Sequence, residues 1–352
     1  MTSTSTRQTT MIAHSTPTAS SAADSQQIIR CGVGAETYGL DMTWVQSVER
    51  VDRVRWNSAG GSPAGWLPER AGDVPVFSLA ERLRYHTAAK SGAQQRIVLL
   101  RSAQGAWGLL VDDVSQVTRV ALKDVAEFPS FAGAATTDYF AGVLKASEGL
   151  TLLLSPERLH AAASSGDDAT FAAAPTHETA TPHAAAVPRT HMSTPPSSST
   201  PTAVLSRAGG RLVVFSVSEP EAGQRPLAFG LSVSQVLEVL SSPPLLPVPG
   251  APPSVRGLVL WRDSPVPVID LAARLGLPSG TNQDQSGRLL IARTAQRGAL
   301  LAFQIRAATR MLRLPAPHLP SERDLPFDIL LSRAAVELEH ETLVIPDLQR
   351  LL

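Results

Sequence analysis

The clearest pattern of apolar and polar positions lies between Val255 and Gly276. An apolar run, Gly257-Leu-Val-Leu-Trp261, stops at a polar turn, Arg262-Asp-Ser, and a second run, Val266-Pro-Val-Ile269, leads into Asp270-Leu-Ala-Ala-Arg-Leu275. β-Branched and aromatic residues on either side of a short polar break predict a β-hairpin, with the turn type left open. Asp270 is placed to cap a short helix that carries Leu271 and Leu275 on one face and ends at Gly276. Pro265 and Pro267 have no backbone donor, which predicts that the second strand lies at an edge or a barrel rim.

The same pattern occurs earlier in the chain. Gly65 through Leu83 aligns with Gly257 through Leu275 without a gap, at an offset of 192 residues. Tyr38-Gly-Leu40 matches Phe229-Gly-Leu231, Arg96 to Leu100 matches Arg288 to Ala292, and Ser155 to Leu159 matches Asp347 to Leu351. Four blocks in the same order predict a duplicated domain.

Around these blocks the pattern predicts many short strands. In the first half they are Gln27–Val33, Glu36–Met42, Arg96–Leu100, Trp107–Val114, Tyr139–Leu144 and Leu150–Leu154, with a short helix from Pro156. The stretch from Trp44 to Val51 fits either a strand or a helical turn. In the second half, Arg211–Val217, Leu227–Leu231, Ser234–Leu240, Leu300–Ile305 and His340–Ile345 repeat the order, and Pro346 to Leu352 is expected to be a closing helix. Turns roughly every dozen residues argue for an all-β, barrel-type fold rather than a βαβ sheet. The expected organisation is a disordered tail over 1–25, a first domain over 26–160, an Ala/Ser/Thr/Pro-rich linker over 161–207 and a second domain over 208–352. Such a linker is expected to hold the domains at a variable distance.

Composition narrows the function. Basic and acidic residues balance at 31 each, and no dense Lys/Arg cluster offers the footprint that nucleic acid requires. Cys31 is the single cysteine, so an internal disulfide and a multi-cysteine metal site are excluded. No apolar run approaches the length of a membrane span, and the Ser/Thr-rich N-terminus lacks a signal-peptide core. A cytoplasmic protein without direct membrane insertion is the expectation.

Few residues suggest chemistry. Asp112 and Asp113 are adjacent on a strand and so point to opposite faces, which favours structural roles. Cys31 opens no nucleophile–base arrangement and fits a buried small hydrophobe. The glycines between Gly32 and Gly39 lack the spacing of a dinucleotide loop. His177, His183 and His191 lie in the linker with nothing to organise them around a metal. No cofactor is expected. Arg256 is different: at the mouth of the central hairpin it either binds a partner carboxylate bidentately or closes an internal salt bridge with Asp270 as the acceptor. Val259, Trp261 and Val266 line either the core or a partner groove, and Trp44 and Trp66 are candidate exposed anchors.

The ordered blocks resemble the CheW-like domain, the adaptor module of bacterial chemotaxis. Its marks are an early Phe/Tyr-Gly-Leu/Ile strand, an Arg-Gly…Pro-Val-x-Asp-Leu block, a Gly-Leu-x-Val-Asp-x-Val strand and a closing Leu-Asp-x-x-x-Leu-Leu. The second half supplies Phe229-Gly-Leu231, Arg256-Gly257, Pro267-Val-Ile-Asp-Leu271 and Pro346-Asp-Leu-Gln-Arg-Leu-Leu352. The first supplies Tyr38-Gly-Leu40, Pro75-Val76 and Gly108-Leu-Leu-Val-Asp-Asp-Val114. It departs from the pattern with Ala64 for the Arg, Ser78 for the Asp and Ser155 for the closing Asp, while the second half departs at Ile305-Arg-Ala-Ala308. The resemblance covers about 280 of the 352 residues.

The resemblance implies that each domain is two small, SH3-like, five-stranded barrels around a shared core. It further implies a non-enzymatic adaptor between the signalling tip of methyl-accepting receptors and the regulatory domain of a histidine autokinase, located at membrane-associated receptor arrays. Other CheW-like domains are implied as further partners. The alternative is a CheW-like regulator of another output, such as pilus motility or gene expression.

Overall fold

The computed structural model describes residues 24–70, 72–84, 94–103, 105–129, 138–146, 149–164, 211–217, 225–241, 243–277, 288–294, 298–306, 310–313 and 331–351. Residues 1–23 of the tail, residues 165–207 of the linker and the three linker histidines lie outside them, whereas a strand already begins at Ser25 and a helix runs on to Ser164, past the linker boundary expected at 161. Strands dominate, and four sheets form two per half.

In the first half the strands are β1 (Ser25–Val33), β2 (Glu36–Asp41), β3 (Val45–Arg50), β4 (Arg55–Trp56), β5 (Gly65–Glu69) and β6 (Gly72–Ser78), followed by helix α1 (Leu79–Arg82). Then come β7 (Arg96–Ser102), β8 (Gly105–Val111), β9 (Asp113–Ala121), β10 (Val125–Ala126), β11 (Phe140–Ala146), β12 (Gly149–Leu154) and helix α2 (Pro156–Ser164). The second half has β13 (Arg211–Phe215), β14 (Leu227–Ser232), β15 (Val236–Ser241), β16 (Val255–Trp261), β17 (Ser264–Ile269) and helix α3 (Leu271–Arg274). It closes with β18 (Arg288–Arg293), β19 (Leu300–Ile305), β20 (Arg310–Arg313), β21 (Ser332–Glu337) and β22 (Thr342–Pro346).

The sheet orders are β10-β11-β12-β2-β1-β9 and β3-β7-β8-β6-β5-β4 in the first half, and β20-β13-β14-β22-β21 and β15-β18-β19-β17-β16 in the second. Each sheet contains one parallel pair, β2/β12 and β6/β8 being repeated as β14/β22 and β17/β19. The first-half sheets have six strands where five were expected, because β10 and the two-residue β4 add short edges. Side chains draw the ends of the second sheet of each half together. Arg53 reaches Glu49 at the end of β3 and Glu69 on β5, while Trp261 Nε1 and Arg262 both donate to Glu238 on β15.

Each half holds a core inside each barrel and a larger one between barrels. The large core of the first half gathers Tyr38, Leu40, Phe77, Trp107, Phe140 and Leu154, and that of the second gathers Phe215, Phe229, Ile269, Leu290, Phe303 and Val344. Cys31 belongs to the first of these, and burial pushes its thiol up to about 12, which suits a small hydrophobe and not a nucleophile.

Several expectations are corrected. The strand expected over Trp107–Val114 breaks at Asp112, whose buried carboxylate accepts from the Gly34 N–H at 2.7 Å, and β9 continues from Asp113. After β22 ends at Pro346, residues 347–351 form a turn and not a closing helix, because Asp347 accepts from Gln349 N with its side chain and from Arg350 N with its carbonyl. Strand β17 is internal and not an edge. It accommodates Pro265 and Pro267 because its parallel ladder to β19 spans only Val268 and Ile269. The domains are not held apart either: Val248 and Leu258 of the second half are buried within the large core of the first.

Candidate functional site

The two central hairpins are equivalent residue for residue. Gly65 pairs with Val76 and Trp66 with Pro75, just as Gly257 pairs with Val268 and Leu258 with Pro267. Trp261 pairs with Ser264, leaving a two-residue loop at Arg262 and Asp263, both with positive φ. That is the type I′ hairpin geometry whose twist matches the strands.

Beyond each hairpin a polar residue caps a short helix. Asp270 Oδ1 accepts from Ala273 N at 3.0 Å, and Ser78 Oγ accepts from Glu81 N at 3.3 Å. The residue after the C-cap of each helix is left-handed: Gly276 at φ 72 in the second half, but Arg84 at φ 56 in the first. Glycine occupies that conformation without a Cβ clash, whereas arginine is strained there.

Arg256 stands on β16 next to Gly257. Its Nε lies 3.9 Å from Asp270 Oδ2, beyond hydrogen-bond length, and its side chain is 39% exposed. Asp270 therefore has two tasks, one oxygen capping α3 and the other facing the arginine. The geometry satisfies the internal reading as a loose ion pair and leaves the guanidinium at the surface, where a partner carboxylate can meet it.

The other candidates divide. Of the two alternatives for Val259, Trp261 and Val266 the structure takes the core over the partner groove: all three are buried with Val268, Leu289 and Ile291. Inward alternation along β16 places Val259 and Trp261 there, and the Trp261 N–H is satisfied by Glu238 at 2.9 Å. Trp44 is half-buried against the large core of the first half, and Trp66 is half-buried opposite Arg55. The structure does not bring these two together with Arg256.

Sequence reasoning missed the residues on the outer side of the second hairpin. A backbone bridge joins Leu246 and Leu258, with N–H groups donating in both directions at 2.8 Å. A Cβ on Gly257 would lie 2.5 Å from the Leu246 carbonyl, so only glycine admits this strand-like neighbour. Leu246, Val248 and Leu258 then face the first half, Val248 and Leu258 joining its core, and Val255 packs against the large cores of both halves. The signal was an apolar residue at alternate positions, Leu246 and Val248, inside the proline-rich stretch from Pro243 to Pro253. The exposed tryptophan is Trp56, at 49%, and not the two named above.

A family model described as the CheW-like domain matches residues 27–164 and again 194–352. The chain belongs to the CheW-like domain family. Its two copies coincide with the two pairs of sheets, and the second match begins ahead of the boundary expected at 208. Similar proteins include Chemotaxis protein CheW of Klebsiella aerogenes, 27% identical over 136 residues, covering 38% of this chain and 81% of that protein. Chemotaxis protein CheW of Treponema pallidum is 23% identical over 137 residues, with the same coverages of 38% and 81%. Among solved structures, scaffolding protein TtCheW of Thermoanaerobacter tengcongensis is 21% identical, with a TM-score of 0.34 over 37% of this chain and 88% of that one. Among the described residues of the two CheW-like domains, no helix is long and apolar enough to cross a membrane and no cluster of three metal-ligating side chains occurs.

Proposed function

We propose that this chain is a non-enzymatic adaptor that couples the signalling tips of methyl-accepting chemoreceptors to the regulatory domain of a histidine autokinase, working at cytoplasmic, receptor-bound arrays. The observation that carries this reading is the double family match, each copy on its own pair of sheets. Relatives that carry the chemotaxis CheW name and align over 81% of their length support it. Within the second domain Arg256 is the residue assigned to partner recognition. It lies on the hairpin that also seats the first domain, so a partner reaching it meets a strand held from both sides.

The test is calorimetry of the full chain against the kinase regulatory domain and against a receptor-tip fragment, with Arg256→Ala alongside. Binding weakened about tenfold or more by the substitution is expected, since a guanidinium–carboxylate contact across an interface is lost. Absence of binding to both partners by the unaltered chain overturns the adaptor reading.

A further inference from the structure

Arg256 stands at an irregular point of its strand. In the β16–β17 ladder Val255 pairs with Ile269 and Gly257 with Val268, so Arg256 is the extra residue of a β-bulge. Such a residue has no place in the ladder, and its side chain takes its direction from whatever holds its neighbours. Here the first domain holds them in part. Val255, just before it, packs against the large cores of both domains. Beyond Gly257, Leu258 is wholly buried in the large core of the first domain, together with Val248. Gly257 itself has φ 141 and no room for a Cβ beside the Leu246 carbonyl, so the strand is closed on its outer side.

Hydrogen bonds carry this seating to the carboxylate that faces Arg256. The Val255 N–H donates to the Pro252 carbonyl and the Asp270 N–H to the Ser254 carbonyl, each at 2.8 Å. The segment that touches the first domain at Val248 therefore ends on Asp270, which caps α3 and lies 3.9 Å from Arg256. In the first domain Ala64 occupies the place of Arg256, so the second copy alone has a side chain there to aim.

We propose that the first domain is a clamp that aims Arg256 of the second, with Val248, Val255 and Leu258 as its positioning residues. A partner carboxylate binds at full strength only while the hairpin is seated. The inference deepens the adaptor reading, on which its binding arm rests: one recognition arginine is made ready by two domains. A guanidinium fixed in advance loses less rotamer freedom on binding than a loose one. Linkage is reciprocal, so a partner bound at Arg256 tightens the seat by the factor with which the seat tightens the partner.

The experiment has two arms, both on the full chain carrying Val248→Ser, which weakens the seat without altering β16. Hydrogen exchange reads the clamp with no partner present. The Asp270 amide is expected to exchange about tenfold faster in the variant, while the amides of β18, in the same sheet, keep their rates. Calorimetry against the kinase regulatory domain reads the consequence. Val248→Ser is expected to weaken binding about tenfold and Val248→Ile to keep it, and Val248→Ser should add nothing once Arg256→Ala is present. Unchanged exchange at Asp270, or equal acceleration of Asp270 and β18, overturns the proposal whether or not the kinase domain binds. Losses that multiply in the double variant overturn it where that domain does bind. A kinase domain that fails to bind the unaltered chain counts against the adaptor reading alone, and the exchange arm still decides the clamp.

Discussion

The hairpins β5–β6 and β16–β17 share one register and differ in what covers them. On the outer side of the first stand Arg55, in an ion pair with Asp73, and the half-buried Trp66. At the matching places in the second stand Leu246 and Leu258, and Leu258 is wholly buried against the first domain. The backbone bridge across Gly65 and Gly257 is the same in both, since a Cβ on either would strike the neighbouring strand's carbonyl. Duplication thus kept the backbone plan while the outer side chains diverged, one copy becoming a polar surface and the other an apolar seat. The difference assigns the two hairpins separate duties within one chain.

The largest expected effect breaks this comparison outright. Leu258→Glu buries a carboxylate at the domain contact and should destabilise the full chain by about 3 kcal/mol, read by denaturant unfolding. Trp66→Glu, at the equivalent but uncovered position, should cost well under half as much. Equal costs would mean that the two outer faces are covered alike.

Next come the residues that close the short helices. Arg84→Gly should stabilise the first domain by about 1 kcal/mol by relieving a left-handed arginine, and Gly276→Ala should destabilise the second by about the same amount. Paired thermal melts check the opposite signs.

Cap removal sharpens the comparison. Asp270→Ala and Ser78→Ala should each lose about 1 kcal/mol, the former more because its bond is shorter and its carboxylate is charged. Only Asp270→Ala should also change partner binding, because it releases Arg256.

The smallest effect is a pH slope confined to the first domain. His160 stacks on Trp107 with ring centroids 5.3 Å apart, and burial, with Arg82 nearby, lowers its pKa below the usual 6.5. A lowered pKa in the folded state means that the unfolded state binds the proton more readily. Stability is therefore intact above about 6.5 and is lost as the pH falls through the lowered value. His160→Gln should flatten that slope in melts between neutral and mildly acidic pH.

Much of this was legible in the sequence, for identifiable reasons. The ungapped match of Gly65–Leu83 with Gly257–Leu275 anticipated the hairpin register because turn, prolines and cap are all local signals. The Asp270 cap was legible for the same reason. Whether Val259 and Trp261 face inward was not, because Leu258 and Leu260 on the opposite face are apolar too and Gly257–Trp261 reads as a continuous apolar run. Leu246 and Val248 were hidden among prolines, and what covers them comes from residues far away in the chain. Strands β9 and β20 were missed because their apolar residues are scattered among polar and charged ones without a clean alternation. For Arg256 the motif located the residue, while the division of Asp270 between helix cap and ion pair needed coordinates.

The most direct test is hydrogen exchange in the full chain, read at the amides of Leu246 and Leu258 beside those of Arg55 and Trp66. All four belong to equivalent backbone pairs, so only the covering of the outer face separates them. The account predicts that Leu246 and Leu258 exchange with the slow core amides, at least about tenfold slower than Arg55 and Trp66. Equal protection of the two pairs would contradict the seating of the second hairpin on the first domain.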